Sequence, residues 1–251
     1  MKKLTWLLFL VLYSLHSFGQ KTAEDFYRYA NVKLSQGDTL AAIAACDEAI
    51  SISPDYAEVY NGKGVIKYLS KDFKGAIKEF TKAIDLQPDY AKAYYNRGLA
   101  NNKLDEKEDA LDDYDKALEI KPYYTEAYFS RGYVLGSLGD LRGEIKDYSM
   151  AITLKPTYAE AYFNRAIAEG KLGFHKDEIR DYDKVLRLRP DDADAYFNRG
   201  VARLRINHYE EAIQDFNQTI KLKPESSDAY FHKGVALAKL TGNNDKRTRI
   251  Y

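Results

Sequence analysis

A cation recurs every 34 residues along this 251-residue chain: Lys63, Arg97, Arg131, Arg165, Arg199 and Lys233. Five of the six lie inside near-copies of one run: AYYNRG (93–98), AYFSRG (127–132), AYFNRA (161–166), AYFNRG (195–200) and AYFHKG (229–234). A row of guanidinium groups has the chemistry of anion recognition, because the planar fork gives two parallel hydrogen bonds to a carboxylate or phosphate. It has equally the chemistry of internal ion pairing, and a second row supplies the acids: Glu79, Asp113, Asp147, Asp181 and Asp215. The stretch before these rows lacks both charges together, with Tyr29 and Ala45 in the equivalent places. We therefore read Arg97, Arg131, Arg165 and Arg199 as structural partners of Asp113, Asp147, Asp181 and Asp215, within one repeat or between neighbours. Arg199 then faces Asp215 or Asp181.

Beside each cation stand residues of a different kind. Tyr95, Phe129, Phe163, Phe197 and Phe231 form an aromatic row, and Asn96, Asn164 and Asn198 an amide row broken by Ser130 and His232. Tyr133 lies four residues beyond Phe129. An amide both donates and accepts, so it can hold a peptide backbone. An aromatic row offers apolar surface to a partner or to the neighbouring repeat, and both readings stand. Catalytic signals are missing: His175, His208 and His232 share no face and no metal-ligand spacing. The acidic runs DYD at 113–115 and 181–183 recur with the repeat and belong to its framework. Cys46 reads as a small core residue. No enzyme activity, cofactor or metal is expected.

The elements behind these rows are set by proline. All six prolines, Pro54, Pro88, Pro122, Pro156, Pro190 and Pro224, are 34 residues apart. Such regularity means one repeated unit. With the proline as position 32, the units are 23–56, 57–90, 91–124, 125–158, 159–192 and 193–226, with a partial copy at 227–240 and a polar tail at 241–251. Apolar residues recur at helical spacing in both halves of a unit, for example Ala76, Phe80, Ala83 and Ile84. Breaks such as SQGD (35–38) and SLGD (137–140) separate two helices, and the proline ends the second. At about 100° per residue, positions 4, 7, 8, 11 and 14 of helix A face helix B, and positions 2, 5, 9, 12 and 13 face away. The cations, at position 7, fall on the packing side; the aromatics, at position 5, fall on the free side.

These residues resemble the tetratricopeptide repeat family over residues 23–240. Its 34-residue pattern has an aromatic at position 4, a small residue at 8, Ala at 20, an aromatic at 24, Ala at 27 and Pro at 32. The third unit matches with Tyr94, Gly98, Ala110, Tyr114, Ala117 and Pro122. Glu144 and Glu178 depart from the pattern at position 20, where a carboxylate loosens a close helix contact unless it reaches water or a cation. The resemblance implies an all-α, right-handed α-solenoid of antiparallel helix pairs whose helix A faces line a concave channel. There it implies a partner-binding set of Tyr95, Asn96, Phe129, Tyr133, Phe163, Asn164, Phe197, Asn198 and Phe231. The carboxylate clamp of the chaperone-binding members is absent, since position 2 is mostly acidic (Glu58, Glu126, Glu160).

Residues 1–19 carry Lys2 and Lys3, a 12-residue apolar run at 4–15 and small residues before Gln20. That is a secretory signal with cleavage between Gly19 and Gln20, too short for a spanning helix, which needs about 20 apolar residues. The expectation is a periplasmic or extracellular protein with no membrane insertion after cleavage. With one cysteine there is no internal disulfide, so packing alone must hold the fold. Loss of the two lysines leaves 36 basic and 38 acidic residues, a net of −2, which gives no electrostatic reason to bind nucleic acid. The reading is a non-catalytic scaffold or adaptor that binds a protein or peptide in the channel. Its alternatives are a homo-oligomeric or architectural part of a cell-envelope assembly, and the repeat module of a multi-component system.

Overall fold

The computed structural model describes residues 21–248. The signal reading of residues 1–19 lies outside the described residues. Among the described residues there are thirteen α-helices and no strand. Six hairpins of helix A and helix B follow in order. They are α1 (Ala23–Ser35) with α2 (Thr39–Ile52), α3 (Ala57–Leu69) with α4 (Phe73–Leu86) and α5 (Ala91–Lys103) with α6 (Lys107–Ile120). Then come α7 (Thr125–Ser137) with α8 (Leu141–Leu154), α9 (Ala159–Lys171) with α10 (His175–Leu188), and α11 (Ala193–Arg205) with α12 (Tyr209–Leu222). A single helix, α13 (Ser227–Thr248), closes the series. The fold is all-α and of the solenoid class, and within each of two units the helix pairs pack on their neighbours. The chain divides into two compact units, residues 1–113 and 114–251, the division falling inside α6.

Local signals set the helix ends. Asp38, Asp72 and Asp140 cap the helix B starts, accepting from the backbone N–H of Ala41, Gly75 and Gly143 at 3.1, 2.9 and 2.9 Å. Between helix A and helix B the chain turns through one left-handed residue at position 15: Gly37, Lys71, Asp105, Gly139, Gly173 and Asn207, with φ from +64° to +88°. In the partial seventh copy this position is Thr241. A β-branched residue does not take that conformation, and Thr241 Oγ1 instead bonds back to Leu237 O and Ala238 O at 3.2 and 3.0 Å. α13 therefore runs on to Thr248, into the stretch 241–251 read as a polar tail.

In the first unit, Ala42, Ala45, Cys46 and Ala49 of α2 lie fully inside, against Val59 and Ile66 of α3. Burial pushes the Cys46 thiol up to about 12, so it stays neutral and serves as a small core residue. In the second unit, Tyr162, Tyr182 and Leu186 share a cluster with Ala151, Ile152 and Ala195 of the hairpins on either side. Close approach of helix A to helix B explains the small residue at position 8. A Cβ on Gly64 would lie 2.5 Å from the Phe80 ring, and on Gly200 2.8 Å from the Phe216 ring.

Candidate functional site

The four repeated arginines are mostly buried and paired inside the fold. In the second unit Arg131 donates from Nε to Asp147 Oδ2 at 2.7 Å and from Nη2 to Asp147 Oδ1 at 2.8 Å. Arg165 holds Asp181 in the same way, at 2.7 and 2.8 Å, and Arg199 holds Asp215 at 3.0 and 2.7 Å. In the first unit Arg97 holds Asp113 through Nε at 3.0 Å and Nη2 at 2.7 Å. The remaining nitrogen, Nη1, goes to helix B of the preceding repeat: Arg97 to Thr81 at 3.1 Å, Arg165 to Ser149 at 2.8 Å, Arg199 to Asp183 at 2.6 Å, and Arg131 to Asp115. Arg199 thus uses Asp215 and Asp183, not Asp181. Each arginine also lies over the tyrosine three residues before it, at 5.4 to 5.7 Å. The Asp147 carboxylate raises the Arg131 guanidinium further above its ordinary value. Nε, Nη1 and Nη2 of all four guanidinium groups are thus engaged within the protein.

Position 11 adds a second donor to most of these acids. Lys67 reaches Glu79 at 2.5 Å, Asn101 reaches Asp113 at 2.9 Å and Arg203 reaches Asp215 at 2.7 Å. The fifth repeat breaks the rule with an acid, Glu169, which is buried with its Oε2 unbonded. Burial and the neighbouring Asp181 push its carboxyl up to about 7.

The aromatic row divides its surface. Phe129 stacks on Tyr158 at 4.9 Å and meets Tyr148 at 5.4 Å; Phe163 meets Tyr182 at 5.5 Å; Phe197 touches Phe216 at 5.9 Å and His232 at 5.3 Å. One flank of each ring therefore belongs to the packing and the other is open. Tyr133 and Phe231 are exposed outright. In the first unit Tyr95 is half-buried, and the Asn96 amide is occupied by Asn61 Oδ1 at 2.8 Å. The Asn164 amide lies close enough to Tyr148 to favour its ionised form, although burial raises the phenol.

Two cavities open on the helix A side of the second unit. The larger, about 650 Å³, has Ile167, Val201 and Tyr182 as apolar lining, Asn198 as an amide, and Lys171 and Arg205 as cations. Glu178 also lines it, its Oε2 2.9 Å from His175 Nδ1. The smaller, about 240 Å³, is lined by Phe129, Phe163 and Asn164, with Arg189, Asp192 and Asp194 at its edge. Phe129, Phe163 and Asn164 are thus brought together, and Asn198 joins the larger cavity.

The charged lining was not singled out from the sequence, nor was the device that admits Glu178. Gly170 stands over it: a Cβ there would be 2.6 Å from Glu178 Oε1, and one on Gly136 would be 2.3 Å from Glu144 Oε2. Glycine occupies position 12 only in the two repeats with glutamate at position 20, a signal visible in the sequence. Glu144 has Lys171 as its nearest cation, yet burial dominates and its carboxyl is raised. Among the described residues no set of three His, Cys, Asp or Glu side chains is grouped to hold a metal ion, and no helix is long and apolar enough to cross a membrane.

Helix pairs in register, glycine against an aromatic ring and a closing proline define a helical-hairpin repeat protein. The chain belongs to the tetratricopeptide repeat family: models described as tetratricopeptide repeat match residues 27–85, 91–124, 125–158 and 193–226, and one described as TPR repeat matches 66–105. No curated protein matches the chain. Among solved structures it is similar to YrrB, described as a TPR protein with an unusual peptide-binding site, at 23% identity and a TM-score of 0.69, over 76% of this chain and 98% of that one. It is similar to MamA at 27% identity and a TM-score of 0.61, over 66% and 96%. It is also similar to PilF of Pseudomonas aeruginosa at 16% identity and a TM-score of 0.72, over 84% and 96%. Tetratricopeptide repeats typically serve as scaffolds that bind protein partners, and the repeats of this chain support a protein-interaction scaffold.

Proposed function

We propose that the chain is an adaptor that holds an extended peptide segment of a partner protein along the helix A side of α7, α9 and α11. The observation that carries this reading is the cavity of about 650 Å³, with apolar walls from Ile167 and Val201, the Asn198 amide and the flanking Lys171 and Arg205. An extended peptide offers alternating side chains and unpaired backbone groups, which such a lining can meet. The open flanks of Phe129 and Phe163, with Asn164, continue the surface. The peptide-binding site named for YrrB is in keeping with it. The signal-like residues 1–19 are in keeping with a site of action outside the cytoplasm, with an envelope or exported protein as partner.

Site-specific photo-cross-linking tests this. A cross-linking amino acid at Val201 or Tyr133 should capture the partner in intact cells, and one at Lys184 on helix B should not. Ile167→Asp with Val201→Asp should remove the capture at Tyr133 while the helical content holds. Equal capture from Lys184, or capture that survives the double substitution, would remove the helix A side from consideration.

A further inference from the structure

α13 is anchored on one side and bare on the other. Ala236 packs into the cluster of Ala212 and Phe216, and His232 lies against Phe197. The side that helix B covers in every earlier repeat is uncovered. Tyr230 is 53% exposed, against 8% for Tyr162 at the same position of the fifth repeat. A Cβ built on Gly234 meets nothing within 4 Å, whereas the glycines at this position in the second, fourth and sixth repeats each meet the ring of Phe80, Tyr148 or Phe216. Lys233, at the position of the ladder cations, has no acid among the described residues, and Leu237 beside it is exposed. A terminal repeat that only solvates its neighbour presents a polar outer face. This one presents tyrosine, leucine, an open glycine and an unmatched cation.

The geometry points to α13 as an acceptor for one α-helix of a partner protein, a helix with an acid directly before an aromatic residue and small residues four before and three after that aromatic. Its chemistry is read from the five internal copies of the same contact, in the second to sixth repeats. The acid matches Lys233 as Asp147 matches Arg131, the ring fills the space over Gly234 as Phe216 fills that over Gly200, and the small residues allow the approach that Ala76 and Ala83 allow Phe80. Among the described residues no second helix folds back onto this face: Thr241 keeps α13 helical through Thr248, past the place where each earlier repeat reverses. An amphipathic helix seated by a few fixed anchors is an established mode of recognition. It is independent of the peptide groove on α9 and α11.

The protein itself contains the probe. A synthetic peptide of residues 207–224, which carries Ala212, Asp215, Phe216 and Thr219, should bind the full chain one to one in calorimetry. Changing Phe216→Ala in the peptide should weaken binding at least about tenfold, the loss expected for a central anchor. In the chain, a Cβ at Gly234 meets nothing within 4 Å, so Gly234→Leu should keep the parent's helical content while filling the seat, and should abolish binding. Lys233→Glu should weaken binding, and a peptide with Asp215→Lys should restore it. Failure of the parent peptide to bind, or binding unchanged by Gly234→Leu because the peptide displaces α12 instead, would overturn the proposal. So would a chain that pairs with itself through α13 and excludes the peptide.

Discussion

Arg165 closes a two-point bond on Asp181, Nε to Oδ2 at 2.7 Å and Nη2 to Oδ1 at 2.8 Å, with both side chains mostly out of water. A buried ion pair adds little over a good apolar contact, but breaking one by removing a partner leaves a bare charge. Arg165→Met leaves Asp181 and Glu169 facing each other with no guanidinium between them. The loss should be about 3–5 kcal/mol, read from urea unfolding. The outer contact is another matter: the Asp115 side chain, which takes the third nitrogen of Arg131, is 62% exposed. Asp115→Ala should cost no more than about 1 kcal/mol. Similar losses for the two would show that burial does not set the strength of the ladder.

Gly170 and Glu178 should behave as one unit. Alanine favours a helix over glycine by about 1 kcal/mol, but a Cβ at Gly170 would displace a buried carboxylate whose oxygen is 2.6 Å away. Gly170→Ala should therefore destabilise the parent chain and stabilise a Glu178→Ala background. A double-mutant cycle should give a coupling of at least about 0.5 kcal/mol, the lower end for residues in contact; additive effects would remove the pairing.

Glu169 makes stability depend on pH in an unusual direction. Its folded value of about 7 lies above the ordinary 4.5, so the folded state holds a proton that the unfolded state releases. The contribution is full below about pH 4.5 and is lost as pH rises through about 7, a loss on the order of 2–3 kcal/mol. Asp181 and Glu178 oppose ionisation, and Arg165 and Arg180 favour it. Protonated Glu169 is shaped to donate to Asp181 as Asn101 donates to Asp113. Glu169→Gln should therefore match the parent near pH 5 and exceed it at pH 8 in urea unfolding. An unchanged pH slope in Glu169→Gln would mean another group sets it.

The turns offer a gain. Lys71 holds φ at +65°, a conformation that costs a side-chain-bearing residue about 1 kcal/mol and that glycine adopts freely at the same place in three other repeats. Lys71→Gly should raise the thermal midpoint, with a gain of up to about 1 kcal/mol. A fall would show that Lys71 makes a contact worth more than the strain.

The fold could be read from six prolines because a helix breaker at a constant interval has no other explanation. The pairing of Arg165 with Asp181 could be read because both charges vanish together from the first repeat. The role of Asp183, Asp115 and Ser149 could not, because a helical wheel ranks contacts within a hairpin and says nothing of the hairpin behind it. Phe129 and Phe163 were ambiguous for the same reason, and the structure divides each ring between the neighbouring aromatics and the cavity. The loss of the turn at Thr241 depended on one β-branched residue at a place where the other copies have glycine, asparagine, aspartate or lysine.

The bridging arginines are evenly placed between their acceptors. Arg97 reaches sixteen residues forward to Asp113 and sixteen back to Thr81, and Arg165 spans the same distances to Asp181 and Ser149. One residue added to either connection would rotate an acceptor by about 100° and strip a buried cation of its partner unless the extra residue bulged away. A small insertion would therefore break the ladder, while duplication of a whole hairpin would preserve every bond. The length of such a chain can change by generations of copying in steps of 34, and hardly otherwise.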